Sequence, residues 1–281
     1  MKTCINVLIS WDESIKSRYY PQSIKLFNYK KSLSLFSICS LLLFLTFSSC
    51  KNSNSIHSGQ NDFVQIFNGK NLDGWKGDPN YWRVENGTLV GEVTPETLLD
   101  RNSFIIWQGD MPSDFELKVE YRVTKNGNSG INYRSEKVEG VPYALKGYQA
   151  DLDGANHYTG MNYEERKRTI LALPGQKVLL KPVDKNIQTY IQNNRWTESI
   201  ELGSLGNLDS LKANIKNEDW NKYHLVVKGN RMQHYINGVL MSDVTDEDTI
   251  NRRFDGLLGV QVHVGPPMKI EYRNFMLRKL N

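Results

Sequence analysis

The stretch Phe115-Glu116-Leu117-Lys118-Val119-Glu120-Tyr121-Arg122-Val123 decides the fold class. Apolar residues take every second position and charged residues fill the gaps, a period of two that a helix with about 3.6 residues per turn would smear around its surface. A strand with one buried and one wet face keeps the two sets apart.

Outward from this strand, shorter apolar runs recur between Gly, Asn and Asp. Strands are expected at 64–67, 81–84, 88–90, 105–107, 131–134, 148–152, 189–192, 224–228, 233–236, 239–242, 259–264 and 270–277. Asn86-Gly87 and Asn237-Gly238 separate such runs, and Asn-Gly suits the two-residue hairpin turn. Helical signal is confined to 162–168 and 245–253. Short strands with turn punctuation, no internal repeat and no second composition regime predict an all-β domain: a single antiparallel β-sandwich with one or two short helices.

The chain has 281 residues, 39% hydrophobic and 23% charged, which excludes a disordered, fibrous or polytopic protein. Residues 33–47 (LSLFSICSLLLFLTF) carry no charge, follow Lys30-Lys31 and run into Ser48-Ser49-Cys50. A cationic end, a short apolar run and small residues before a cut read as a secretory signal, and the Cys resembles the lipidated first residue of a bacterial lipoprotein. The run is shorter than the roughly 20 apolar residues that span a bilayer. The expected organisation is a signal peptide with an over-long prelude at 1–49, lipidated Cys50 and a polar tether at 50–61, and a β-sandwich at 62–281. The protein is thus expected to be exported and anchored to the cell envelope by lipid.

Removing the leader takes away six of the 35 basic and two of the 31 acidic residues, so the two signs become equal in number. A neutral chain without a basic stripe excludes a nucleic-acid binder. Cys4 and Cys39 leave with the leader, so Cys50 has no partner for an intrachain disulfide, and stability must come from core burial.

Several segments in order resemble the 3-keto-disaccharide hydrolase domain family. They are Phe67-Asn68-Gly69-Lys70 with Leu72 and Gly74-Trp75, Trp82-Arg83-Val84-Glu85-Asn86-Gly87, and Asp114-Phe115-Glu116-Leu117. Asn128-Ser129-Gly130-Ile131 with Tyr133-Arg134, Thr159-Gly160 with Tyr163, Trp220-Asn221, Ile236-Asn237-Gly238 and Gly259-Val260-Gln261-Val262-His263 complete the set. The resemblance implies a concanavalin A-like jelly roll with a ligand groove on its concave sheet. It also implies cleavage of glycosides whose sugar carries a ketone at carbon 3. The ketone acidifies the carbon-2 hydrogen, so a base removes it, the glycosidic oxygen leaves carbon 1, and water adds back. Such chemistry needs a base, an acid for the leaving oxygen, and a stabiliser of the enolate oxygen.

If 147–153 is a strand, Gln149, Asp151 and Asp153 share one face, with Ala150 and Leu152 opposite. The family more often carries Glu, Gln and Asp there, so the carboxylate is displaced in this chain. Asp151, Asp153 and the nearby His157 are candidate proton-transfer groups. Gln261 and His263 alternate with three valines, and a wholly buried strand would not place polar groups on one face, so both are expected to line the groove, His263 as a catalytic group. Arg134 is a candidate for binding sugar hydroxyls or an enolate oxygen. Tyr163, Glu164 and Arg168 are further substrate-binding candidates, whereas Asn128-Ser129-Gly130 reads as a tight turn. Asp151, Asp153, His157 and His263 also offer oxygen and nitrogen ligands for a divalent metal, although no spacing compels one. A small carbohydrate is the expected partner. A non-catalytic carbohydrate-binding module and a carboxylate-pair glycosidase acting without prior oxidation stand as alternatives on the same fold.

Overall fold

The computed structural model describes residues 62–183, 186–194 and 196–281; the expected signal peptide, Cys50 and tether lie outside the described residues. Two very short strands, β1 (Val64–Gln65) and β2 (Trp75–Lys76), precede the hairpin of β3 (Trp82–Glu85) and β4 (Thr88–Val93). Then come β5 (Ser103–Trp107), β6 (Phe115–Val123), β7 (Asn128–Lys137), β8 (Leu145–Asp153), β9 (Asn162–Glu165), β10 (Thr169–Ala172) and β11 (Gln176–Leu180). Helices α1 (Ile187–Asn193) and α2 (Leu208–Lys212) flank β12 (Ser199–Ser204). The chain closes with β13 (Asn221–Lys228), β14 (Arg231–Ile236), β15 (Val239–Asp246), β16 (Leu257–Val262) and β17 (Met268–Lys279).

These strands form two sheets. One runs in the order β12-β11-β15-β14-β13-β6-β17-β4-β3, with β1 added to β17, and the other β10-β9-β8-β7-β16-β5-β2. Pairing is antiparallel except between β11 and β15, which run parallel, a departure from the purely antiparallel expectation. The alternation of 115–123 is seen directly: Phe115, Leu117, Val119, Tyr121 and Val123 are buried while the residues between them are half-exposed. Their buried face joins one apolar cluster with Ile131, Tyr148, Ala150, Leu152, Val260 and Val262 of the second sheet, which makes the fold a sandwich. At about 25 cal/mol per Å² of apolar surface, this shared layer is the main source of stability.

Both Asn-Gly pairs turn as expected, with positive φ at each residue: 49° and 79° at Asn86 and Gly87, 50° and 86° at Asn237 and Gly238. Four local expectations are corrected. Residues 162–165 form β9 rather than a helix, and 245–253 begins as the end of β15 and then turns, with Asp248 Oδ1 accepting from the Ile250 and Asn251 amides. Residues 189–192 lie in α1, whose first turn is capped by the Asn186 side chain. Asn128, Ser129 and Gly130 are not a turn but open β7.

Candidate active site

The outer face of the seven-stranded sheet is polar where it crosses its centre. Register fixes which side chains share it, because residues paired across strands point to the same side. Gln149 of β8 lies opposite Asn132 of β7 and Tyr163 of β9, Asp151 opposite Gly130, and Gly147 opposite Glu165. Tyr148, Ala150 and Leu152 point inward to the core. This is the alternation expected of 147–153.

A cavity of about 320 Å³ opens over this face, at the small end of the roughly 300–1,000 Å³ range of small-molecule pockets. Asp151, Glu165, Gln149 and His263 line it, with Asn102 and Asn128 on the β5 and β7 side and Tyr163, Ile170 and Ile191 on the β9, β10 and α1 side. Gln261 is fully buried within the same face; its Nε2 donates to Gln149 Oε1 at 3.2 Å, and Gln149 Nε2 donates in turn to Asp151 Oδ1 at 2.8 Å. The bridge passes over Gly130, where a Cβ would sit 2.4 Å from Gln149 Cδ. Glycine is required here for space and not for a turn. Tyr163 donates from its hydroxyl to Asn194 Oδ1 at 2.7 Å, tying β9 to the end of α1.

The electrostatics set protonation states. Burial raises the Asp151 carboxyl well above the usual carboxylate value; the Gln149 hydrogen bond opposes this, and the charges of Asp153 and Glu165 reinforce it. Burial likewise raises Glu165, against a hydrogen bond from Asn102, the Arg166 charge and the Gln261 amide. Burial lowers His263, partly offset by its bond to the Val264 carbonyl, so the ring is neutral at pH 7. That carbonyl can only accept, so Nδ1 carries the hydrogen and Nε2 keeps its lone pair. The cavity therefore sets carboxyls biased toward their acid form beside an imidazole biased toward its neutral form.

Of the residues singled out in the sequence, Asp151, His263, Gln149 and Tyr163 line this cavity, and Gln261 braces it. Five do not reach it. Arg134 sits at positive φ (45°) where β7 bulges, and its guanidinium donates to the Ser113 carbonyl at 2.7 Å and to Asp114 at 3.2 Å, clamping the start of β6. Asp153 accepts from the backbone amides of His157, Tyr158 and Thr159 at 2.8–2.9 Å and so organises the turn after β8. His157 is exposed on that turn, away from the cavity. Glu164 points inward from β9 and meets Arg168 at 2.6 Å; Arg168 also contacts Asp246 at 2.7 Å and Asp248 at 3.2 Å, with all four side chains essentially buried. This ion cluster belongs to the core. Because Asp153 and His157 face the turn while Asp151 and His263 face the cavity, the four residues considered for a divalent metal do not converge. Among the described residues no group of three or more His, Cys, Asp or Glu is placed to hold an ion.

Glu165, Asn102 and Arg166 were not singled out from the sequence, and Asn128 was read only as part of a turn. The signal for Glu165 was present: Tyr163 and Glu165 alternate with Asn162 and Glu164, but Glu164-Glu165-Arg166-Lys167-Arg168 reads as a solvated helical run until Arg168 is seen to neutralise an inward Glu164. Asn102 and Asn128 come from elements whose approach depends on strand order, which no local pattern encodes.

A curated 3-keto-disaccharide hydrolase from Bacteroides thetaiotaomicron is 32% identical over 83 residues, an alignment that covers 27% of this chain and only 28% of that protein's length. A putative glycosyl hydrolase of known structure from Parabacteroides distasonis is 16% identical, with a TM-score of 0.49, 78% of this chain and 100% of that chain being covered. A Bacillus subtilis protein of unknown function with a galectin-like fold is 10% identical with a TM-score of 0.48, covering 74% and 90% of the two chains. A family model for the 3-keto-alpha-glucoside-1,2-lyase-like domain matches residues 62–278, nearly the whole of the described sandwich, and the chain belongs to that family.

Proposed function

We propose that this protein cleaves 3-keto-glycosides by elimination and hydration, with His263 as the base and Asp151 as the acid. The observation that carries this reading is that the Asp151 carboxyl, which burial shifts toward its acid form, and the His263 imidazole, which burial shifts toward its base form, face the same small cavity. His263 Nε2 takes the carbon-2 proton, and the electron pair of that C–H bond forms the enolate of the carbon-3 ketone. The ketone re-forms as the carbon-1 to oxygen bond breaks, and the leaving oxygen takes the proton of Asp151. An enone remains. Water then adds to carbon 1, giving its proton to the Asp151 carboxylate, while the imidazolium returns a proton to carbon 2. Both residues end as they began, and the net change is hydrolysis. A carboxyl biased toward its acid form beside an imidazole biased toward its base form is what one pocket needs to run both halves near neutral pH.

The test is turnover of a 3-keto-glucoside in deuterated water. Deuterium at carbon 2 of the released sugar is expected, with Asp151→Asn and His263→Ala each lowering kcat by at least about a hundredfold. Hydrolysis without deuterium would point to a carboxylate-pair glycosidase, and sugar binding without turnover to a binding module.

The domain at 62–281 is further proposed to be exported and tethered through lipid at Cys50. Metabolic labelling with a fatty acid should mark the wild-type chain and not Cys50→Ser; equal labelling of both removes the assignment.

A further inference from the structure

We propose that the Glu165 carboxyl group donates a hydrogen bond to the carbon-3 oxygen of the substrate and stabilises the enolate that forms when the carbon-2 proton leaves. This rests on the elimination route above. That route calls for three groups, a base, an acid and a donor at the enolate oxygen, and His263 and Asp151 account for two.

The placement of Glu165 suits the third. Register pairs Glu165 with Gly147 and puts its side chain on the same face as Gln149. The residue lines the cavity and is only 7% exposed, so a charge there has little water to screen it. Its Oε1 accepts from Asn102 Nδ2 at 3.2 Å. The Asn102 amide cannot turn over, because its Oδ1 accepts from the Val264 N–H at 3.0 Å. Oε1 is therefore held as an acceptor, which leaves Oε2 as the oxygen that carries the acid hydrogen. The charged and titratable groups around it are Asp151 from β8, Tyr163 from β9, Arg166 from the following turn and His263 beyond β16. Arg166 Nε is 3.7 Å from Oε1, too far for a hydrogen bond, and Nε itself is buried without a partner. Burial shifts Glu165 toward its acid form, against that cation, the Asn102 hydrogen bond and the Gln261 amide. A buried carboxylic acid is a strong donor to a developing oxyanion, and it needs no reorganisation when charge appears.

The same three links join Glu165 to the base. Asn102 bonds both Glu165 and the Val264 amide, and the Val264 carbonyl fixes the His263 ring. Enolate donor and proton acceptor are thus held at a set separation.

The experiment compares Glu165→Gln, which keeps a neutral donor, with Glu165→Met, which keeps length but cannot donate. Both are assayed on a 3-keto-glucoside, with thermal unfolding to show that each is folded. Removing one oxyanion donor costs about a hundred- to a thousandfold in kcat, so Glu165→Met should lose that much at nearly constant KM while Glu165→Gln stays within about tenfold of wild type. In wild type the alkaline fall in kcat should report ionisation of both Asp151 and Glu165, and in Glu165→Gln only the Asp151 ionisation should remain. Equal losses in the two variants would mean proton transfer or simple packing and overturn the proposal, as would a wild-type rate in Glu165→Met. Wild-type deuterium incorporation at carbon 2 separates the cases: if it fails, the elimination route itself is wrong, and if it holds while the variants match, only the Glu165 assignment falls.

Discussion

Gly130 shows how much of the site depends on one missing methyl group. The Gln261-to-Gln149-to-Asp151 chain crosses β7 where that strand has no side chain. A Cβ at 130 would lie 2.4–2.7 Å from three Gln149 side-chain atoms, so Gln149 must swing away and release Asp151. Gly130→Ala is expected to lower kcat by about tenfold or more, because displacements of about 1 Å in positioning groups have large effects on rate. The cost in stability should be that of an overpacked site, about 1–3 kcal/mol. Parallel kinetics and urea unfolding check this, and an unchanged kcat would detach the amide chain from catalysis. At this scale the sequence was legible in part. Gln149, Asp151, Gln261 and His263 could be placed from alternation alone, since alternation is local. The family motif also drew attention to Asn128-Ser129-Gly130, but for a turn it does not make: Ser129 instead donates to the Gln261 carbonyl and meets Tyr272 across the sandwich at 2.8 Å. Nothing within three residues announces such a partner.

Elements divide by whether their charges face water. β6 was readable end to end because its wet face is charged and its dry face apolar. β9 was not, because it sends Glu164 into the core, and a buried carboxylate looks like an error until its counter-ion is found. Burial on its own would raise Glu164, but the Arg168 charge and hydrogen bonds overcome that and hold it below the usual value. The cluster pins the turn between β9 and β10 from behind, and the same turn presents Glu165 and Arg166 to the cavity. Arg168→Met would leave Glu164, Asp246 and Asp248 without their shared cation. Breaking a buried pair by removing one partner costs about 3–5 kcal/mol. The expected result is a lower urea midpoint by that amount. Replacing Arg134, which clamps β6 to β7 away from the cavity, should by contrast leave KM unchanged in whatever protein remains folded.

Across the whole molecule, stability and chemistry pull on pH in opposite directions. Glu116 and Glu120 on the outer face of the larger sheet are, like Glu164, held below their usual values: burial opposes ionisation, but Arg278 and Arg273 outweigh it. Such groups add stability above about pH 4, the unfolded carboxylate value, and lose it on acidification. Asp151 and Glu165 do the reverse. Their folded values lie above the unfolded ones, so their contribution is complete below about pH 4 and is lost as pH rises through the folded values. A double variant, Asp151→Asn with Glu165→Gln, removes both titrations and leaves the paired carboxylates in place. Its melting temperature relative to wild type should therefore climb as pH rises from about 4 toward the folded values of the two carboxyls, and it should be inactive throughout. Thermal unfolding at three pH values in that range decides the matter. A difference that stays flat or shrinks with pH would mean that both carboxyls are already ionised at no cost in the folded protein, and neither the acid at the leaving oxygen nor the donor at the enolate would then exist at neutral pH. The cavity is expected to be a place where the fold gives up stability near pH 7 to keep two acids protonated beside a base that is not.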